Sequence, residues 1–257
     1  MTMPAIFFGH GSPTIALERN RYTTSWAAIG KAVPRPRAIV SVSAHWYRRG
    51  VAVTAMPEPP TIHDFRGFPR ELHEFQYPVA GDPDLARRVQ QLLAPVPVEL
   101  ADDWGLDHGT WCVLSHVFPD ADVPVIELAL DGTQPPAFHY DLGKKLAPLR
   151  DEGVLVIGSG NIVHNLRTWT RGRPDMKPHD WAARFEDRAR ELMRSGDVQP
   201  LVDYETMGED ALLSIPTPDH YLPLLYILAL RRDEDEVTFP VEGIDGGSVS
   251  MLAVQLS

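Results

Sequence analysis

Three apolar runs of this sequence finish on a histidine. "AIFFGHGSP" carries His10, "AIVSVSAHW" carries His45, and "VLVIGSGNIVHN" carries His164 just beyond its strand. Two more stand in turn-forming surroundings, His108 in "WGLDHGTW" and His220 in "PTPDHYLPLLYIL". A neutral imidazole binds transition metals and, with an unperturbed pKa of about 6.5, also exchanges a proton close to neutrality. Taken singly, each of these residues has an ordinary reading as a hydrogen-bonded core or rim histidine. The repeated placement at the ends of apolar runs is what points to a cluster. The single cysteine, Cys112, leaves no thiolate set for a structural zinc and no internal disulfide. Any metal here must be held by histidine and carboxylate.

The elements that would gather these residues show in the alternation of short apolar runs with amphipathic segments. Residues 5–9, 38–43, 51–55, 96–100, 125–130 and 154–158 read as strands, several continuously apolar, as in strands covered on both faces. Helices are expected over 22–33, over 83–93 with Asp82 as cap before Pro83, over 136–149 and over 181–194. Residues 239–241 and 249–255 are candidates for late, antiparallel strands. The pattern predicts an α/β fold: a single domain over 1–257, with a mostly parallel or mixed central sheet and helices on both faces. In open sheets of this kind ligands bind outside the carboxyl ends of the strands, so His10, His45 and His164 can meet at one rim.

The other two histidines fall at helix starts. Thr217 reads as a cap and Pro218 as the first helical residue, which puts Asp219 and His220 in the first turn of an apolar helix. Pro223 lacks the N–H that would bond the Asp219 carbonyl, so the helix bends there or that carbonyl finds another partner. His108 opens a helix running to Val117. Residues 56–83, "MPEPPTIHDFRGFPRELHEFQYPVAGDP", form a long segment rich in proline and aromatics, which reads as an ordered active-site loop.

Several features weigh against other functions. A net charge of −11 disfavours a general affinity for nucleic acid or anionic membranes. No apolar run is long enough to cross a bilayer, and the amino terminus lacks signal-peptide features, so a soluble cytoplasmic protein, monomer or homo-oligomer, is expected. "GSGNIVHN" lacks the spacing of a dinucleotide fingerprint, and "GHGSP" is not a nucleophile elbow. His63 and His73 stand either in a pocket wall or at the surface. Glu127, in "PVIELAL", reads by default as an edge-strand residue facing water, with an inward carboxylate as the alternative.

Six stretches in this order, "FGHGSP", "VSAHW", "TIHDFRGFP", "DHGTW", "GSGNIVHNL" and "PTPDHYLPLLY", resemble the class III extradiol ring-cleaving dioxygenases of the LigB type, most closely the 4,5-DOPA extradiol dioxygenase branch. The resemblance spans nearly the whole chain. It implies one divalent ion in a mononuclear non-haem site, Fe(II) for activity, although members of this branch are also described with Zn(II). It further implies cleavage of a catechol-type, DOPA-like substrate by O2 to a semialdehyde. By motif, His10, His45 and His220 are the implied ligands, His220 standing where the better-known LigB pattern has glutamate, with Asp219 as alternative. His164 is the implied acid/base beside the metal and a possible fourth ligand. His108 matches the second acid/base position, with Asp107 orienting it. His63, Phe65, Trp46, Trp111 and Tyr221 are the expected substrate-pocket residues, with Phe68 as a further aromatic wall. A zinc hydrolase using the same histidines, or a non-catalytic metal-binding protein of the Memo kind, are the competing readings.

Overall fold

The structure, a computed structural model, describes residues 2–173 and 175–257. Its strands are β1 (Ala5–Gly9), β2 (Ala38–Arg48), β3 (Val51–Thr54), β4 (Val98–Ala101), β5 (Val125–Asp131), β6 (Val154–Gly160), β7 (Val237–Val241), β8 (Ile244–Asp245), β9 (Val249–Ser250) and β10 (Ala253–Leu256). The helices are α1 (Arg21–Ala32), α2 (Arg70–Glu74), α3 (Pro83–Leu93), α4 (His108–Val117), α5 (Pro136–Lys145), α6 (Pro148–Asp151), α7 (Asp180–Ser195), α8 (Gln199–Val202), α9 (Glu209–Ser214) and α10 (Leu222–Ala229). Eight strands form one sheet in the order β4-β3-β5-β2-β6-β1-β10-β7, and β8 pairs with β9. The central strands β5, β2, β6 and β1 are mutually parallel. β3 meets β5 antiparallel, and β10 and β7 extend the other edge antiparallel. The expected α/β architecture with a mixed sheet is the one observed.

Both faces of the sheet are covered, which is why its strands read as unbroken apolar runs. Side chains alternate along β1. Ala5 and Phe7 join the core built with Leu85 of α3, Leu142 of α5, Leu192 of α7 and Leu225 of α10. Ile6 and Phe8 join Trp26 of α1 and Leu114 of α4 on the opposite face. Each fully buried Phe or Leu contributes about 1.5–3 kcal/mol, so this sandwich makes a stiff platform for whatever lies at its rim.

Several boundaries differ from expectation for physical reasons. The helix expected over 136–149 is split into α5 and α6 at Pro148, which has no N–H to continue the ladder. β2 does not end before His45 but runs on to Arg48. Its register with β5 jumps from Val42 opposite Leu128 to Tyr47 opposite Leu130, so Ser43 to Trp46 face Ala129 alone. His45 therefore sits inside a bulge, a device that re-aims a side chain without ending the strand. The helix expected from Pro218 starts at Leu222, with Pro223 in its first turn, where a missing N–H removes no intrahelical bond. His220 thus lies in a turn before α10, closed by the Tyr221 and Leu222 N–H groups on the Pro218 carbonyl, both at 2.9 Å. His164 lies outside any helix, tied through its N–H to the Ser214 carbonyl (2.8 Å) and by a bridge to Val249. The 56–83 segment is ordered around α2 and a bridge from Thr61 to Leu106. Among the described residues no helix is long and apolar enough to cross a membrane.

Candidate metal centre

The end of β6 fixes two of the histidines. The Gly160 carbonyl accepts the His10 N–H at 3.0 Å, and the Asn161 N–H donates to the His220 carbonyl at 2.8 Å. The Asn161 side-chain amide donates to the His10 carbonyl as well, and to that of Ser250 at 2.7 Å. Gly160 permits this approach because a Cβ there would collide with the His220 carbonyl. Gly109, in the first turn of α4, has the same function beside β2, where a Cβ would lie 2.7 Å from Ser43 Oγ and 2.9 Å from the His45 ring.

Hydrogen bonds then determine which nitrogen of the His10 and His220 rings is free. Ser159 Oγ gives its proton to the Gly109 carbonyl at 2.6 Å, so it accepts from His10 Nδ1–H at 2.9 Å. His220 Nδ1–H donates to the Asp219 carboxylate. His45 Nδ1 faces Asp64 Oδ2 at 3.5 Å. His10 and His220 are thereby left with an Nε2 lone pair, and His45 Nε2 lies 3.0 Å from that of His10, where it either donates to it or shares a cation with it. One ring nitrogen from each of His10, His45 and His220 falls within 4.8 Å of the others. This is the donor set and the outer hydrogen bonding that a histidine-held transition metal requires, so the residues present fit such an ion.

Burial holds His10 and His45 neutral. His10 and His45 are pushed well below the usual imidazole range, chiefly by desolvation and then by the surrounding histidines. Burial also lowers His164, with His220 contributing, to about 3. Neutral imidazole is the metal-binding and proton-accepting form. For Asp219, burial alone would raise the pKa, but the hydrogen bond from His220 outweighs it and holds the carboxyl well below the usual carboxylate range. Asp219 accepts from His220 Nδ1–H and so fixes the orientation of that ring.

His164 is not one of the three. Its ring lies against the face of His220 and groups with Asp219 and His220, not with His10 and His45. His108 lies with its ring centroid 3.8 Å from that of His45. Its orienting carboxylate is Asp64, not Asp107: Asp64 accepts from His108 Nδ1–H at 2.8 Å and from the His108 N–H at 3.0 Å. Asp107 instead caps α4, accepting from the Thr110 N–H at 3.2 Å and from Ser43 Oγ at 2.7 Å. Asp64, Asn161 and Ser159 escaped the sequence reading, although the first stands inside "TIHDFRGFP" and the other two inside "GSGNIVHNL". Glu127 is fully buried on an inner strand, so its default reading as a water-facing edge residue does not hold.

The expected pocket residues separate. Phe65 reaches the cluster, its ring edge-on to His108 at 5.6 Å, and Phe68 packs on Phe65 at 5.2 Å. His63 donates through Nε2 to the Phe75 carbonyl at 2.9 Å, and Trp111 stacks on Phe75 and donates to the Ile62 carbonyl at 2.8 Å. Both pin the loop rather than face the histidines. Trp46 is carried to the other side of β2 from His45 and stacks on Trp104 at 5.6 Å. Tyr221 is fully buried with its hydroxyl donated to the Leu201 carbonyl at 2.9 Å, which removes it from any pocket wall. A cavity of about 850 Å³ opens at Gly11 and Ser12, directly after His10, and is lined by Tyr22, Trp169, Asp245 and Met251 among others.

Comparison with known proteins agrees with this architecture. Residues 5–243 match the family described as the catalytic LigB subunit of aromatic ring-opening dioxygenase. The chain is 52% identical over 258 residues to a 4,5-DOPA dioxygenase extradiol of Escherichia coli K12, covering 99% of this chain and 94% of the relative. A protein of the same name from Beta vulgaris is 35% identical, with 95% and 92% covered. The crystal structure of an uncharacterized protein from Escherichia coli K12 superposes with a TM-score of 0.87 at 46% identity, covering 99% of this chain and all of that one. The chain belongs to the LigB family. It is an enzyme of the extradiol ring-cleavage dioxygenase class.

Proposed function

We propose that this enzyme opens the ring of a catechol-type, DOPA-like substrate with O2 at a single divalent ion held by His10, His45 and His220. The observation that carries this reading is the convergence of the His10, His45 and His220 rings on one point, with His10 and His220 anchored through Nδ1. A divalent ion there, Fe(II) for turnover, supplies a redox-active Lewis acid with coordination positions left over for a diol and a gas molecule, whereas Zn(II) supplies only the Lewis acidity.

The protein's own groups manage protons and position. A catechol must shed its hydroxyl protons to act as a chelating ligand. His164, held neutral by burial, takes one of them, and His108 Nε2, the nitrogen that Asp64 leaves free, serves the second proton transfer. Phe65 and Phe68 supply an apolar, edge-to-face packed wall on the His108 side, worth roughly 1 kcal/mol per ring contact beyond burial. DOPA as the substrate type is supported by the similarity to two proteins named 4,5-DOPA dioxygenase extradiol. The test is anaerobic loading with Fe(II), then oxygen uptake on a panel of catechols including L-DOPA, with Zn(II)-loaded protein alongside. The reading requires stoichiometric oxygen uptake and a ring-opened product with Fe(II) alone. Ester or amide cleavage under Zn(II), without oxygen uptake under Fe(II), would replace it with a hydrolase.

A further inference from the structure

Behind the histidines lie two carboxyl groups that the chemistry above does not use. Glu127, in the middle of β5, and Asp107, the cap of α4, are both fully buried. Among the described residues neither pairs with a lysine or arginine. Glu127 Oε1 accepts from Trp104 Nε1–H at 3.1 Å, and Oε2 accepts the Asp107 N–H at 3.2 Å. Asp107 Oδ1 accepts twice, from Ser43 Oγ and from the Thr110 N–H. Asp107 Oδ2 is buried without any hydrogen-bond partner. Two ionised carboxylates side by side in such a place would cost several kcal/mol each, and an unmatched acceptor adds to that.

We propose that Glu127 and Asp107 hold one proton between them, carried by Glu127 and donated to Asp107 Oδ2, and that this pair positions the catalytic histidines. The proton supplies the donor that Oδ2 lacks and removes one of the two charges. Burial raises the proton affinity of both groups, and the Asp107 charge raises that of Glu127 further. The other titratable groups around the pair are Asp64, which pushes Asp107 up, His108, which pulls it down, and Cys112, itself raised by burial and then by both aspartates.

With the charge halved, Asp107 can stay in the interior and work at two places at once. Through Thr110 it anchors the first turn of α4, whose first residue is His108. Through Ser43, whose Oγ also accepts the His45 N–H at 3.2 Å, it braces the bulge of β2. Glu127 and Asp107 are positioning residues, and their effect on turnover rests on the functional reading given above. Their shared proton does not.

The test uses Glu127→Gln, whose uncharged amide keeps a donor for Asp107 Oδ2 while giving up one of the two N–H contacts that Glu127 accepts, and Glu127→Met, which fills the space without a donor. Infrared difference spectra of wild type against Glu127→Gln at about pH 8 are expected to show a neutral carboxylic acid carbonyl band, shifted in D2O and absent from the variant. Oxygen uptake by the Fe(II)-loaded Glu127→Gln enzyme should stay within about twofold of wild type from about pH 6 to pH 9. Glu127→Met should lower kcat at least tenfold with KM little changed, as expected when reacting groups are displaced. Loss of no acid band in Glu127→Gln, or a kcat for it as low as that of Glu127→Met, overturns the proposal. Should the enzyme open no catechol at all, the infrared band still decides the matter of the proton.

Discussion

His164 lies flat against His220, with ring centroids 3.5 Å apart and planes 8° from parallel. The contact holds the His164 ring beside the candidate centre, while His220 is held independently through Asp219. We predict that His164→Ala keeps its metal while turnover falls by about 10²–10⁴-fold, the usual weight of a positioned acid or base. His164→Phe restores a stacking surface but no proton carrier, and should be equally slow. Metal content measured beside oxygen consumption checks both. Normal turnover in either variant removes His164 from the proton-transfer role.

Asp64 reaches two histidines, His108 at 2.8 Å and His45 at 3.5 Å. Burial would raise its pKa, but hydrogen bonds and the charge of His108 more than offset this, so it stays ionised. Asp64→Asn should cost about 10–100-fold in turnover, the typical penalty for losing an outer partner of a site histidine. Steady-state oxygen uptake and a metal-binding isotherm separate an effect through His108 from one through His45. Unchanged values of both would show that the carboxylate is incidental.

Stability should carry a signature of Glu186, which is buried beneath the site with Ser250 Oγ donating to it at 2.5 Å. Burial lifts its pKa from 4.5 to about 7. The native state therefore favours the neutral acid, and the stability this confers is full below about pH 4.5 and is lost as the pH rises through 7. At about 1.4 kcal/mol per pH unit, the loss amounts to at most about 3 kcal/mol on the alkaline side. Glu186→Gln should raise the Tm by several degrees at about pH 8.5 and leave it unchanged at about pH 4. The opposite pH dependence would show that the native state stabilises the carboxylate.

The sheet was legible in the sequence because its strands are buried on both faces and written as apolar runs. Residues 5–9 were read to the residue, and the Asp82 cap with Pro83 behind it marked the start of α3. What the sequence concealed depends on contacts between distant segments. The bulge around His45 exists only in the register of β2 with β5. The turn holding His220 is secured by Asn161, which lies 59 positions away. Asp64 was overlooked because an aspartate in a loop looks solvated, and only folding lays it along His108. Trp46 and Tyr221, each next to a site histidine in sequence, point away from it, because neighbours on an extended strand face opposite ways and the turn before α10 directs Tyr221 inward.

The account depends above all on three imidazoles sharing one ion. Metal stoichiometry after anaerobic Fe(II) loading and desalting, measured on wild type and on His10→Ala, His45→Ala, His220→Ala and His164→Ala, addresses this directly. We predict about one ion per chain in wild type and His164→Ala, and little or none in the other three, all of them folded by circular dichroism. Full occupancy in any one of the His10, His45 or His220 variants would contradict the assignment of the centre.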